Sequence, residues 1–220
     1  MERELVPNMD AVIAVSDTLV SHVGNLGKTA HLLTHGVDLE HWRVAETPPP
    51  NPLPEAERGN PTIFFGLTPP FVVFWGVIDR RMDTEFVRRV AETIAGTVVL
   101  IGPRLGRRLR RGRDPGRVRP DPALLAIPRV AVRPPVPFAE LPAVAAAADV
   151  LVMPYADLPV TRAIQPLKLK EYLATGKPTV VRDLPATRAW AHACDVAATP
   201  DEFAARVRDR IAGGLPAGQQ

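Results

Sequence analysis

What most constrains this chain is a repeated alternation. A short run of β-branched and aromatic residues is followed by a glycine, proline or polar turn, then by apolar residues at helical spacing. Phe71 to Gly76 (FVVFWG) and Thr97 to Gly102 (TVVLIG) are the clearest runs, and Val130 to Arg133, Val150 to Met153 and Thr179 to Val181 follow. Between the first two, Asp83 can cap a helix whose Phe86, Val87, Val90, Ala91 and Ile94 form one stripe, closed by Gly96. Strands that are apolar on both faces, alternating with amphipathic helices, predict an α/β fold: a Rossmann-like, mainly parallel sheet with helices on both faces. Upstream, Ala11 to Val15 reads as a strand, Ser16 and Asp17 offer caps for a helix to about Leu26, and Thr29 to Leu33 reads as a strand stopped at Gly36. Downstream, helices are predicted from Glu140 to Ala147, from Pro166 to Gly176 and from Asp201 to Ile211, with a long turn from Met153 to Pro166. Arg43 to Pro70 contains TPPPNPLP and reads as a linker or surface loop, because proline has no N–H for a ladder. No internal repeat stands out.

Composition removes several classes. At 220 residues, 46% hydrophobic and 23% charged, the chain can bury a proper core. Its single cysteine, Cys194, excludes an internal disulfide framework, and with His192 it reads as packing. The longest apolar run, Phe71 to Ile78, is far short of the roughly 20 residues that span a bilayer, and MERELVPNMD is no secretory signal. The 27 basic against 24 acidic residues leave +3, nearly all of it arginine, which is weak support for a nucleic-acid partner. There is no Asp-x-Asp pair, and His31 and His35 fall on a strand and its turn, so no metal is expected. A Walker phosphate loop and a Gly-x-Gly-x-x-Gly fingerprint are also missing, which argues against an ATPase or a dehydrogenase. Asp149, at a strand start, reads as structural.

In such sheets ligands bind beyond the carboxyl ends of the strands, here the loops after Trp75, Ile101, Val132 and Met153. Two segments there could carry chemistry. In IQPLKLKEYLATGKPTVV, Pro166 opens a helix and places Lys168 and Lys170 in its first turn, where the helix dipole favours anions. Lysines beside free backbone N–H groups suit a phosphate, and Glu171, three residues after Lys168, suits ribose hydroxyls. The plainer reading is a solvated turn with a Lys168–Glu171 surface pair. In WGVIDRRMD, Gly76 lets a ligand approach the backbone and Arg80 or Arg81 could clamp a diphosphate; the plainer reading is a turn with solvated arginines. The basic run from Arg104 to Arg119 has no aromatic platform and reads first as a solvated loop, with a phosphate backbone or an anionic membrane surface as the alternatives.

The ordered set DAVIAVS, HGVD, FWGVIDRRMD, VLIG, FAELPAVAAAADVLVMPY and QPLKLKEYLATGKPTVV resembles the C-terminal half of GT-B glycosyltransferases of family four and their relatives, from about Asp10 to Trp190. The resemblance implies sugar transfer from a nucleotide diphosphate donor, without metal or other cofactor. It implies that Glu171 matches the second of two family glutamates and contacts the ribose, while Ala163 holds the first position. Backbone groups near Gln165, Pro166 and Leu167 would lie by the sugar and diphosphate. The family arginine after the strand glycine falls at Val77, leaving Arg80 and Arg81 as substitutes. The nucleobase would lie at the strand end around Pro134 and Val136. Residues 1–36 would be a remnant of an N-terminal domain and 37–220 the nucleotide-sugar-binding domain, with Val12, Ile13 and Leu32 under-covered. The expected function is therefore a glycosyltransferase or its donor-binding half, with no catalytic residue assigned. A non-catalytic nucleotide-sugar-binding or scaffold module is the alternative, and a nucleic-acid binder working through the Arg104 loop a remote third. Its partners would be a nucleotide sugar, a separate N-terminal acceptor-binding domain and an anionic membrane touched from the cytoplasm.

Overall fold

The protein is described by a computed structural model covering residues 2–42, 62–103, 122–163 and 167–219. It opens with α1 (Glu2–Leu5), β1 (Ile13–Ala14), α2 (Asp17–Asn25), β2 (His31–Leu32) and α3 (Leu39–Trp42). The larger part follows as β3 (Phe71–Trp75), α4 (Thr84–Thr93), β4 (Thr97–Ile101), α5 (Pro122–Leu125), β5 (Val130–Arg133), α6 (Leu141–Ala147) and β6 (Val150–Met153). It ends with α7 (Pro159–Ala163), α8 (Leu167–Ala174), β7 (Thr179–Arg182), α9 (Pro185–Arg188), β8 (Asp195–Ala197) and α10 (Pro200–Gly213).

β3 to β8 form one six-stranded sheet in the order β5-β4-β3-β6-β7-β8, every pairing parallel. Every residue of β3, β4 and β6 is buried, as continuous apolar runs require when both faces are covered. Chain order runs outward from β3 in one direction and outward from β6 in the other. Right-handed crossovers therefore put α4 and α8 on opposite faces. Asp83 caps α4 through the N–H groups of Glu85 and Phe86, and the predicted stripe is buried. α10 returns to the α4 face, where Phe203 meets Phe86 edge-on at 5.3 Å. Asp149 is structural: its Oδ2 accepts from the Phe71 N–H at 2.6 Å, which pins the amino ends of β3 and β6 together. Cys194 is buried, and desolvation pushes its thiol up to about 12, so it is packing material and no nucleophile.

The first two strands make a separate parallel ribbon, Ile13 opposite His31, on which Ser16 caps α2. Ile13 and Leu32 are 64% and 47% exposed, while Val12 is half-buried. The ribbon leads into α3, whose Trp42 is buried against the larger part.

One expectation is corrected. The chain does carry an internal repeat, Asp-Leu-Pro-x-Thr-Arg-Ala, at 157–163 and again at 183–189. At seven residues it is too short to show as a repeat-protein period. The copies leave the carboxyl ends of β6 and β7 and pack on each other as α7 and α9. In both, proline opens the helical turn, so the stretch expected to be a long turn is partly helical. In both, the threonine Oγ1 accepts from the leucine N–H at 2.9 Å, and the arginine pairs with the aspartate five residues earlier.

Candidate functional site

The sheet order reverses between β3 and β6, so the crevice of this fold lies beyond Trp75 and Met153. Gly76 sits there with φ of 145°, a conformation that favours glycine, and its N–H is held by the Ile101 carbonyl at 2.8 Å. A Cβ at position 76 would lie 2.0 Å from Cε of Lys168. The lysine chain thus fills the space that the glycine leaves free. Lys168 is half-buried, and among the described residues its ammonium has no hydrogen bond and no ion pair within 4 Å. Desolvation lowers its pKa; Glu171 opposes that shift, Arg81 adds to it and Asp79 opposes it.

Glu171 is one helical turn further along α8. Its Oε2 accepts from the Trp75 indole N–H at 3.1 Å, so the carboxylate is aimed by the last residue of β3 and is not spent on Lys168. The next residue, Tyr172, is fully buried, and its hydroxyl accepts from the Trp75 backbone N–H at 3.1 Å. Trp75 in turn stacks on Trp42 with centroids 5.6 Å apart and meets the Tyr172 ring edge-on at 4.3 Å. The floor beneath Lys168 and Glu171 is therefore rigid and aromatic.

The loop after β3 is held just as firmly. Asp79 accepts from the Arg81 backbone N–H and from its Nε, both at 2.9 Å, which raises the arginine pKa and leaves the Nη groups unengaged among the described residues. The Asp83 N–H donates to the Pro154 carbonyl at 2.8 Å, and the Ala156 N–H to the Arg81 carbonyl at 2.6 Å. Asp83 also pairs with Arg182 at 2.6 Å. Arg81 and Tyr155, which follow different strands, are thus tied into one wall.

Of the predicted residues, the structure brings Gly76, Arg81, Lys168 and Glu171 together, and Leu167 is the first, 43% exposed residue of α8. Arg80 does not join them: it is exposed and unpaired among the described residues, because Asp79 turns its neighbour inward instead. Lys170 also departs. Two residues along a helix is more than half a turn, so its Nζ reaches the His35 carbonyl and lies 5.8 Å over the Trp190 ring. The Lys168–Glu171 surface pair of the plainer reading does not close, since Trp75 holds the carboxylate. Gln165 and Pro166 lie outside the described residues, as does the Arg104 to Arg119 run. Pro134 is exposed and Val136 half-buried against the core beyond β5. Sequence reasoning missed Asp79, Tyr155 and Trp75, whose roles come from the strand order that sets β3 beside β6 rather than from local spacing. A groove of about 510 Å³ between α4 and Ala123 to Arg129 adjoins the start of β5, the amino-terminal end of the sheet, and takes no part in this site. Among the described residues no cluster of His, Cys, Asp and Glu could hold a metal ion, and no helix is long and apolar enough to cross a membrane.

No family model matches the chain. A protein of Bacillus subtilis (strain 168), assigned as the teichuronic acid biosynthesis glycosyltransferase TuaH, is 27% identical over 191 residues, which is 84% of this chain and 43% of that one. Among solved structures, sucrose-phosphate synthase from Thermosynechococcus elongatus superposes with a TM-score of 0.65 at 18% identity, over 96% of this chain and 51% of its own. Anabaena HepE, solved with UDP and glucose, gives 0.65 at 12% identity over 92% and 54%. AviGT4, involved in avilamycin A biosynthesis, gives 0.58 at 14% over 94% and 55%. The chain spans about half the length of these relatives. In fold it has the Rossmann-like domain of the GT-B glycosyltransferases.

Proposed function

We propose that this chain binds a nucleotide diphosphate sugar in the crevice beyond β3 and β6 and serves as the donor-binding half of a glycosyltransferase. The observation that carries the reading is Lys168: a half-buried ammonium laid across Gly76, with no protein acceptor among the described residues. Burying a cation without a partner is costly, and an anion in the crevice would remove that cost. The diphosphate is the leaving group of sugar transfer, and stabilising its charge is the main electrostatic task. Lys168 would face it from α8 and the Arg81 Nη groups from the loop after β3. Glu171, aimed by Trp75, keeps one oxygen for the ribose hydroxyls. The UDP and glucose held by HepE, a protein of this fold, support the same class of ligand. Transfer itself would need an acceptor-binding domain across the crevice to position the second substrate and exclude water. Contact with an anionic membrane from the cytoplasm belongs to the same proposal and is supported by the basic run from Arg104 to Arg119 and by the family resemblance.

Calorimetric titration of UDP and GDP and their sugars tests this. The wild-type chain is expected to bind at least one of them, with Lys168→Ala and Glu171→Ala each weakening it roughly tenfold or more. Equal binding by all three proteins, or by none, would sink the assignment.

A further inference from the structure

Tyr155 is the second residue beyond the carboxyl end of β6. Its backbone forms an antiparallel bridge with Met82, and its ring meets Phe74 edge-on at 6.0 Å. The residue is only 5% exposed, and its hydroxyl makes no hydrogen bond among the described residues. The charges it senses, from strongest to weakest, are those of Arg81, Asp79 and Glu171, the members of the site just described. Buried phenols ordinarily find a partner. The same molecule shows the contrast: Tyr172, which is fully buried, takes the Trp75 N–H. One tyrosine is satisfied by the fold; the other, at the mouth of the crevice, is left open.

We propose that the Tyr155 hydroxyl is a ligand-contacting group that donates a hydrogen bond to the diphosphate of the bound nucleotide, alongside Arg81. The inference rests on the donor-binding reading and sharpens it by naming a neutral donor among the charged ones. Burial drives the phenol pKa up to about 12, so the O–H keeps its proton throughout the range in which an enzyme works and never meets the phosphate as an anion. Its position is set by the two strand-end loops bonded to each other, which hold it to the same wall as Arg81.

The test compares Tyr155→Phe with Tyr172→Phe, both of which keep the ring. Each is followed by thermal melting without ligand and by calorimetry with UDP and GDP, Lys168→Ala serving as the reference. For Tyr155→Phe the melting midpoint should be unchanged or raised, because no internal bond is lost, while nucleoside diphosphate affinity falls roughly tenfold. Tyr172→Phe should melt earlier, since it strands the Trp75 N–H. If wild type binds, Lys168→Ala does not, and Tyr155→Phe binds like wild type, the inference is overturned and the donor-binding reading stands. If Tyr155→Phe melts as early as Tyr172→Phe, the hydroxyl has a structural partner and the inference is again overturned. If wild type binds no nucleoside diphosphate, both readings fall together.

Discussion

Lys168 combines three properties that seldom occur together: a half-buried ammonium, no acceptor among the described residues, and a glycine beneath its methylenes. Because burial lowers its folded pKa, there is a window between that value and the ordinary lysine value in which the unfolded chain binds more protons. Stability rises with pH through this window, and below it the full cost of burying the charge is present. An anion bound beside the ammonium reverses the shift. Binding within the window should therefore take up a proton, and affinity should decline as pH climbs past the lowered pKa. Titrating UDP or GDP at alkaline pH in two buffers of different ionisation enthalpy measures the uptake directly. In Lys168→Arg, whose guanidinium stays charged, the buffer dependence should vanish. A wild-type heat that is the same in both buffers would remove Lys168 from the ligand.

Between the strands and the site stand the short elements, and there the twin Asp-Leu-Pro-x-Thr-Arg-Ala turns govern how the chain leaves β6 and β7. Thr161 and Thr187 are 2% and 0% exposed, and each hydroxyl bridges a leucine N–H to an upstream carbonyl. Thr161→Val and Thr187→Val keep the shape and strand those groups, so each should cost about 1–3 kcal/mol in chemical denaturation, and by similar amounts because the bonds are the same. Asp157→Asn should cost far less, since the pair with Arg162 is largely exposed and such pairs contribute little. A large difference between the two threonine variants would show that the copies are alike only in sequence. These turns also mark what the sequence could and could not reveal. β3, β4 and β6 were legible because runs of Val, Leu and Phe bounded by turn residues have few other fates. β8 was not: three residues beginning with an aspartate give no period, and Asp195 is buried there only because Arg210 of α10 reaches back to it. Gly76, Lys168 and Glu171 could be read from local spacing. Tyr155 and Asp79 could not, because their significance comes from a strand order that brings residues more than 70 positions apart into one wall.

At the scale of the whole molecule, the reversal of strand order fixes where a ligand goes, and the β1–β2 ribbon raises a different question. Parallel strands are ordinarily covered on both faces, and a two-stranded sheet is marginal by itself. Yet Ile13, Leu32 and Leu33 are 64%, 47% and 62% exposed, so the ribbon is held by its hydrogen bonds, by α2 and by the chain leading to α3 rather than by a core of its own. Contiguous exposed apolar groups of this kind favour association, with another protein surface or with a second copy. The chain should therefore bind a hydrophobic dye and self-associate as its concentration rises in analytical centrifugation. The double variant Ile13→Lys with Leu33→Lys should abolish both effects, move stability by no more than about 1 kcal/mol as exposed substitutions do, and leave nucleotide affinity untouched because the crevice lies beyond β3 and β6. A melting midpoint that fell by many degrees would mean that these side chains are buried in solution by the chain itself, and the ribbon would then have to be counted as part of the core that supports the site.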